Sequence, residues 1–210
     1  MVEMSKLNTQ SIIKKGNNTK AALIRSGVEM MTTYGYISSN IDSILKQVGV
    51  PKGSFYYYFK SKEDFGRQII DNYDSFFAHK LDKHLTNEAT DSSLDCIISF
   101  YQDAKKGMAK YNFDRGCLIG ELIQEESLLP DGYSMILENI LKSWQKKVEM
   151  CLRKAQEKGE IKENLNCTEL ANFFWIGWEG AVTRAKLIKK SEPLDIFIKL
   201  FLSGLTSSVA

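Results

Sequence analysis

Few side chains in this 210-residue chain are equipped for chemistry, and their spacing narrows what that chemistry can be. Cys96, Cys117, Cys151 and Cys167 lie 21, 34 and 16 residues apart with no C-x-x-C, which argues against a zinc ribbon or a redox dithiol. His79 and His84 are five apart, on different sides of any helix, so neither a metal nor a cofactor is expected. Cys117 stands out because it follows Arg115 and Gly116 at a predicted helix start. There the helix dipole and a nearby cation both lower a thiol pKa and raise its nucleophilicity. The alternative is a thiol buried as a small hydrophobe. The other three cysteines read as core or half-buried thiols.

A second set of residues suits contact with a polyanion. Lys52, Gly53 and Ser54 precede the run Tyr56, Tyr57, Tyr58, and Lys62 follows four residues later. Three successive tyrosines advance about 100° each on a helix and cannot share one face, so one or two must meet solvent or a partner. A phenol can donate to a phosphate while its ring packs on a sugar or a base. Charge is distributed in the same sense. Net charge is only +2, yet residues 1–62 hold nine Lys or Arg against three acids. A basic head therefore sits on a mildly acidic body.

The elements that must position these residues read as helices throughout. Gly and Pro number only 14 and 3, hydrophobic residues make up 43%, and no β pattern survives, which together imply an all-α chain. Apolar spacing from Asn18 to Tyr34 predicts an amphipathic helix capped at Asn18 or Thr19 and stopped by Gly35. Ser39 or Asn40 can cap a short second helix ended by Gly49, Val50 and Pro51. A third, Lys52 to Phe59, is anchored by Phe55 and Phe59 four residues apart. Two short helices around a glycine-containing turn form a helix-turn-helix, with the second helix as the candidate reader. A long fourth helix opens at a capping box of Ser61 and Asp64 and runs to about Leu85. Five further helices are predicted at 92–111, 117–128, 133–158, 167–188 and 193–207. Residues 1–18, with Lys6, Lys14 and Lys15, read as a flexible basic tail that could follow a minor groove as an arm. No run approaches a membrane span, and the first twenty residues lack the apolar centre of a signal peptide. A cytoplasmic location with no membrane partner is expected.

The segment T-K-A-A-L-I-R-S-G-V-E-M-M-T-T-Y-G-Y, then S-N-I-D-S-I-L-K-Q-V-G-V-P-K-G-S-F-Y-Y-Y-F-K-S-K-E-D-F, resembles the DNA-binding head of a TetR-type transcriptional repressor. Residues 19–65 carry the likeness, and K-G-E-I, E-L-A and W-E-G-A in the body agree with it. The strings P-K-G-S-F-Y-Y-Y-F, G-C-L-I-G-E-L and A-K-L-I-K-K-S-E-P-L are similar to the N-ethylmaleimide-reductase repressor branch. The resemblance implies a three-helix DNA-binding domain over 19–65 and a ligand-sensing, dimerising helical domain over 66–210. It implies that Ser39 and Asn40 touch the DNA backbone, and that Lys52, Gly53 and Ser54 enter the major groove. Tyr57 would meet bases, Tyr56 and Tyr58 would reach phosphates or base edges, and Lys62 would bind a phosphate. Tyr58 stands where the family often has histidine. Chemistry agrees at three of these positions, since Gly53 permits close backbone approach, Ser54 can donate or accept, and Lys52 brings charge.

Such repressors pair about a twofold axis on a palindromic operator, because one reading helix spans too few base pairs for specificity. The last two helices are the expected interface. Gly177, Gly180 and Ala181 permit close approach, and Leu187, Phe197, Leu200 and Phe201 supply apolar area, although packing inside one subunit would use the same residues. The resembling branch responds to electrophiles and oxidants through a cysteine at G-C-L, a role that falls on Cys117, with Lys186 as the cation expected nearest to it. The rival inducer is an apolar drug or metabolite held reversibly among Phe100, Tyr101, Met108, Leu118, Leu122, Trp144, Phe174 and Trp178. An enzyme with Cys117 as nucleophile is disfavoured, because both histidines fall in the fourth helix.

Overall fold

The computed structural model describes residues 2–86 and 90–206, with side chains from Asn18 onward. Nine α-helices follow one another with no strand among the described residues: α1 (Val2–Tyr34), α2 (Ile41–Val48), α3 (Lys52–Tyr58), α4 (Lys62–Leu85), α5 (Ser93–Ala109), α6 (Leu118–Gln124), α7 (Tyr133–Glu157), α8 (Cys167–Ile188) and α9 (Glu192–Thr206). The all-α architecture with a helical body matches the sequence reading. Two boundaries differ: α1 runs on from Val2 through Asn18 and Thr19, and the helix expected over 117–128 ends at Gln124, with a separate 3-10 turn at Glu126–Leu128. The side chains of Lys6, Lys14 and Lys15 lie outside the described residues.

The head is built on three phenylalanines. Phe55 of α3, Phe59 just after it and Phe65 of α4 are fully buried, with ring centroids 4.6 to 5.1 Å apart. Each such ring contributes about 1.5–3 kcal/mol by leaving water, which holds a seven-residue helix that could not persist alone. Asn40, not Ser39, caps α2, its side chain accepting the Asp42 N–H at 2.8 Å. Gly49 closes α2 in the left-handed conformation, φ 74°, which a side chain would strain. At α4 the Ser61 hydroxyl accepts the Asp64 N–H, while the Asp64 carboxylate reaches back to the N–H of Lys60.

α4 joins head to body. Gly27 of α1 brings that helix so close that Phe65 and Ile69 of α4 occupy the space of a side chain. Farther along, Phe77 of α4 packs on Trp144 of α7, centroids 4.3 Å apart, and edge-on against Phe100 of α5. Trp175 and Phe174 of α8 complete this aromatic core. α9 lies on α8, with Phe197 filling the space left by Gly177.

Candidate nucleic-acid interface and sensor cavity

α3 is held by its phenylalanines so that its opposite edge faces outward. Tyr57 is 80% exposed and Tyr56 is 56% exposed, which is unusual for rings and leaves both hydroxyls available. Tyr58 is half-buried, its ring edge-on to Tyr57 at 4.8 Å, so it is the tyrosine of the three that packs inward. Lys52 and Gly53 are exposed at the start of the helix, Ser54 is half-buried, and a Cβ at Gly53 would meet nothing within 4 Å among the described residues. Lys52 pairs with Asp42 of α2 at 3.3 Å, both side chains well exposed. A pair of that kind is weak and yields readily to a phosphate.

A shallow cleft between α2, α3 and the start of α4 gathers Asn40, Lys52, Tyr56 and Lys62. The structure therefore brings together residues scattered over 23 positions of sequence. Two of them carry extra duties. Lys62 donates to the Ile37 carbonyl at 3.2 Å and lies over the Tyr36 ring at 4.7 Å. Burial lowers its pKa, with Glu125 opposing that shift. Two of its three N–H groups remain for an anion. Ser39 corrects the sequence reading: its side chain is buried, and its hydroxyl donates to the Gly35 carbonyl at 2.6 Å. It shapes the turn before α2 and has no hydroxyl to offer DNA.

In the body, a cavity of about 300 Å³ opens between α1, α4, α5 and α8. Of the eight residues expected to line it, Met108 and Trp178 do. Phe100, Leu118, Leu122, Trp144 and Phe174 are instead buried core. Tyr101 is also core, its hydroxyl donating to the Asp195 carboxylate. The wall is more polar than expected, with Thr32, Tyr73, Lys80, Tyr111 and Arg115 facing it, and Cys117 borders it.

Cys117 sits at the N-cap position of α6 as the sequence suggests, yet its thiol pKa is raised well above the usual value. Burial is the main cause, and the Glu179 carboxylate adds to it, outweighing the Gly120 N–H and the Tyr73 hydroxyl that favour thiolate. Lys186 is not the counter-charge. It is committed to Glu121 at 2.6 Å and to the Thr32 carbonyl at 3.3 Å. Arg115, the other expected cation, lies over the Tyr111 ring at 4.3 Å.

The loop carrying Cys117 is wired to the head. Gly116 N–H donates to the Thr32 carbonyl at 2.9 Å, and Arg115 Nε donates to the Thr32 hydroxyl at 3.0 Å. At the other end of α6, the Glu125 carboxylate accepts N–H groups of the turn after α1. Thr32, Tyr73, Glu125 and Glu179 escaped the sequence reading. For Glu179 a signal existed, an acid set between Trp178 and Gly180 in the apolar middle of α8.

α8 and α9 present an outward stripe of Phe173, Ile176, Gly180, Leu187, Ile196 and Leu200. Gly177, Ala181, Phe197 and Phe201 pack within the subunit, the alternative use of these residues that the sequence left open. No helix among the described residues is long and apolar enough to cross a membrane.

Comparison with known proteins agrees with this geometry at both ends of the chain. A family model described as bacterial regulatory proteins, tetR family, matches residues 23–69, and the tetracyclin repressor-like C-terminal domain matches residues 93–201. The transcriptional regulator AcuR of Cereibacter sphaeroides is 43% identical over 180 residues, covering 86% of this chain and 82% of its own. The crystal structure of the regulatory protein TetR from Rhodobacter sphaeroides is similar at 42% identity and TM-score 0.87, over 89% of this chain and 98% of that one. The repressor NemR of Escherichia coli strain K12 is a more distant likeness, 27% identical over 85% of this chain and 89% of its own. These relatives are DNA-binding regulators rather than enzymes. With a reading helix held outward at one end and matched domains along most of its length, the chain belongs to the TetR family of bacterial transcriptional regulators.

Proposed function

We propose that this protein is a cytoplasmic repressor that binds a palindromic operator as a homodimer, and that reactive electrophiles or oxidants acting at Cys117 release it. In this reading residues 19–65 form the DNA-binding domain and residues 66–210 the regulatory and dimerisation domain. Lys52, Gly53, Ser54 and Tyr57 enter the major groove, while Asn40, Tyr56 and Lys62 hold phosphates. Tyr58 acts through its packing on Tyr57. The apolar stripe on α8 and α9 supplies the dimer contact.

The observation that carries the sensor is the position of Cys117 on the cavity wall, one residue from the Gly116 N–H that bonds to Thr32 of α1. An adduct on the sulfur displaces this loop and the Tyr73 ring of α4 together. The bonds to Thr32 pass the displacement to α1, and α4 alters the separation of the two heads. A 100-fold loss of operator affinity needs only about 2.7 kcal/mol of difference between states. The test is titration of operator binding with N-ethylmaleimide or hypochlorite. Wild type loses DNA and Cys117→Ser retains it; equal loss in both removes the thiol from the mechanism.

A second reading, reversible binding of an apolar drug or metabolite, is favoured by the burial that holds Cys117 as a thiol. The inducer then occupies the cavity against Met108, Phe77 and Trp178. Recovery of DNA binding by dialysis, with no effect of dithiothreitol, selects this reading.

A further inference from the structure

A buried thiol of raised pKa adds slowly to an electrophile unless a neighbouring group takes its proton. The geometry around Cys117 supplies such a group. Glu179 projects from α8 under the first turn of α6, and its carboxylate faces the Cys117 sulfur. Gly120 makes this approach possible, because a Cβ there would collide with Glu179 Oε2 while standing 3.7 Å from Cys117 Cβ. The other carboxylate oxygen, Oε1, is sealed from solvent and has no hydrogen-bond partner among the described residues. An unsatisfied buried acceptor is costly and needs a reason for its presence. Tyr73 of α4 faces the same sulfur from the cavity side, its hydroxyl favouring the thiolate.

We propose that Glu179 is the general base that activates Cys117 toward α,β-unsaturated carbonyl electrophiles in the cavity. The inference rests on the sensor reading above. The Cys117 proton passes to a Glu179 oxygen as Sγ bonds to the β-carbon. The C=C π pair moves onto the α-carbon and carbonyl oxygen as an enolate. The neutral Glu179 acid then returns the proton to the α-carbon, so the net change is addition of S–H across the double bond and no redox partner is needed.

Burial raises the Glu179 carboxyl to about 7, and Glu121 adds to that shift, so the base operates near neutrality. The titratable and charged groups around it are Cys117 and Glu121 of the α6 segment, Tyr73 of α4, and Arg184 and Lys186 of α8. Gln145 from α7 brings no charge.

The test follows alkylation of full-length protein by N-ethylmaleimide, with peptide mass spectrometry reporting the rate at Cys117 between pH 5.5 and 9. In wild type the rate rises through a group near 7. Glu179→Gln, which keeps the shape, lowers the rate at pH 7.5 by about 100-fold and leaves only the late rise of the thiol itself. Glu179→Asp, which keeps a carboxylate, restores an early rise in the profile and separates lost proton transfer from a general disturbance of the fold. Equal rates and profiles in wild type and Glu179→Gln overturn the base and leave the sensor standing. A wild-type Cys117 that stays unmodified overturns the sensor itself, and the base with it.

Discussion

Glu125 and Tyr36 tie the regulatory body to the DNA-binding head through one hydrogen bond: Oε2 of Glu125, just after α6, accepts the backbone N–H of Tyr36 at 2.7 Å. The same oxygen takes the Ile37 N–H at 3.2 Å, and Gly35 leaves the carboxylate room to approach. Since the turn after α1 sets where α2 begins, and α3 follows α2 after three residues, this carboxylate helps fix α3 relative to α6 and the rest of the body.

Glu125→Ala leaves the buried Tyr36 N–H without its acceptor, at about 1–3 kcal/mol. Urea unfolding is expected to show that loss, with operator affinity falling about 10-fold as the turn relaxes. Unchanged stability and affinity would remove Glu125 from the link between the two halves.

Lys52 and Lys62 face one cleft yet differ in their surroundings. Lys52→Ala gives up only an exposed pair with Asp42 and should leave stability within about 0.5 kcal/mol. Lys62→Ala, which removes the phosphate contact, is expected to weaken all duplexes alike and reduce the slope of log K against log salt by about 1. Affinity lost at a single base position, with the slope intact, would instead mark base readout. Fluorescence anisotropy between 50 and 300 mM salt measures both quantities.

Glu179 makes stability depend on pH in a defined direction. Its carboxyl titrates near 7 in the folded chain against about 4.5 unfolded, so the folded state holds the extra proton between those values. The neutral form costs little below pH 4.5, and stability falls as pH rises toward 7 and the carboxylate charges. Glu179→Gln has no such loss, so its advantage over wild type grows from near zero at pH 4.5 to about 3 kcal/mol at pH 8.5. Urea unfolding at the two pH values reads the difference, and an advantage independent of pH contradicts the assignment.

Much of the head is legible in the sequence because its rules are local. Asn40, Gly49 and Pro51 mark helix ends by backbone chemistry alone, and Phe55 with Phe59 fixes which edge of α3 turns inward. Ser39 misleads because a serine at a helix start reads as a cap, whereas the Gly35 carbonyl four residues back captures its hydroxyl. The cavity is harder to read. Phe100 and Trp144 have the same apolar character whether they line a space or fill a core, and only three-dimensional packing separates the two. Cys117 shows the competition between forces most directly. Its helix start and neighbouring arginine are visible in sequence and favour thiolate, but burial and Glu179 come from other elements and prevail. Lys186 is likewise drawn away by Glu121, 65 residues distant in sequence.

In the proposed function the exposed edge of α3 reads DNA as one half of a twofold pair. Enrichment of bound duplexes from a random pool, with wild type and Tyr57→Ala in parallel, decides whether it does. Wild type is expected to select an inverted repeat whose half-sites lie about one helical turn or more apart, and Tyr57→Ala, equally stable because the ring is exposed, to lose the selected bases while keeping weak nonspecific binding. Failure of wild type to enrich any sequence, or selection of the same repeat with equal affinity by both proteins, would contradict it.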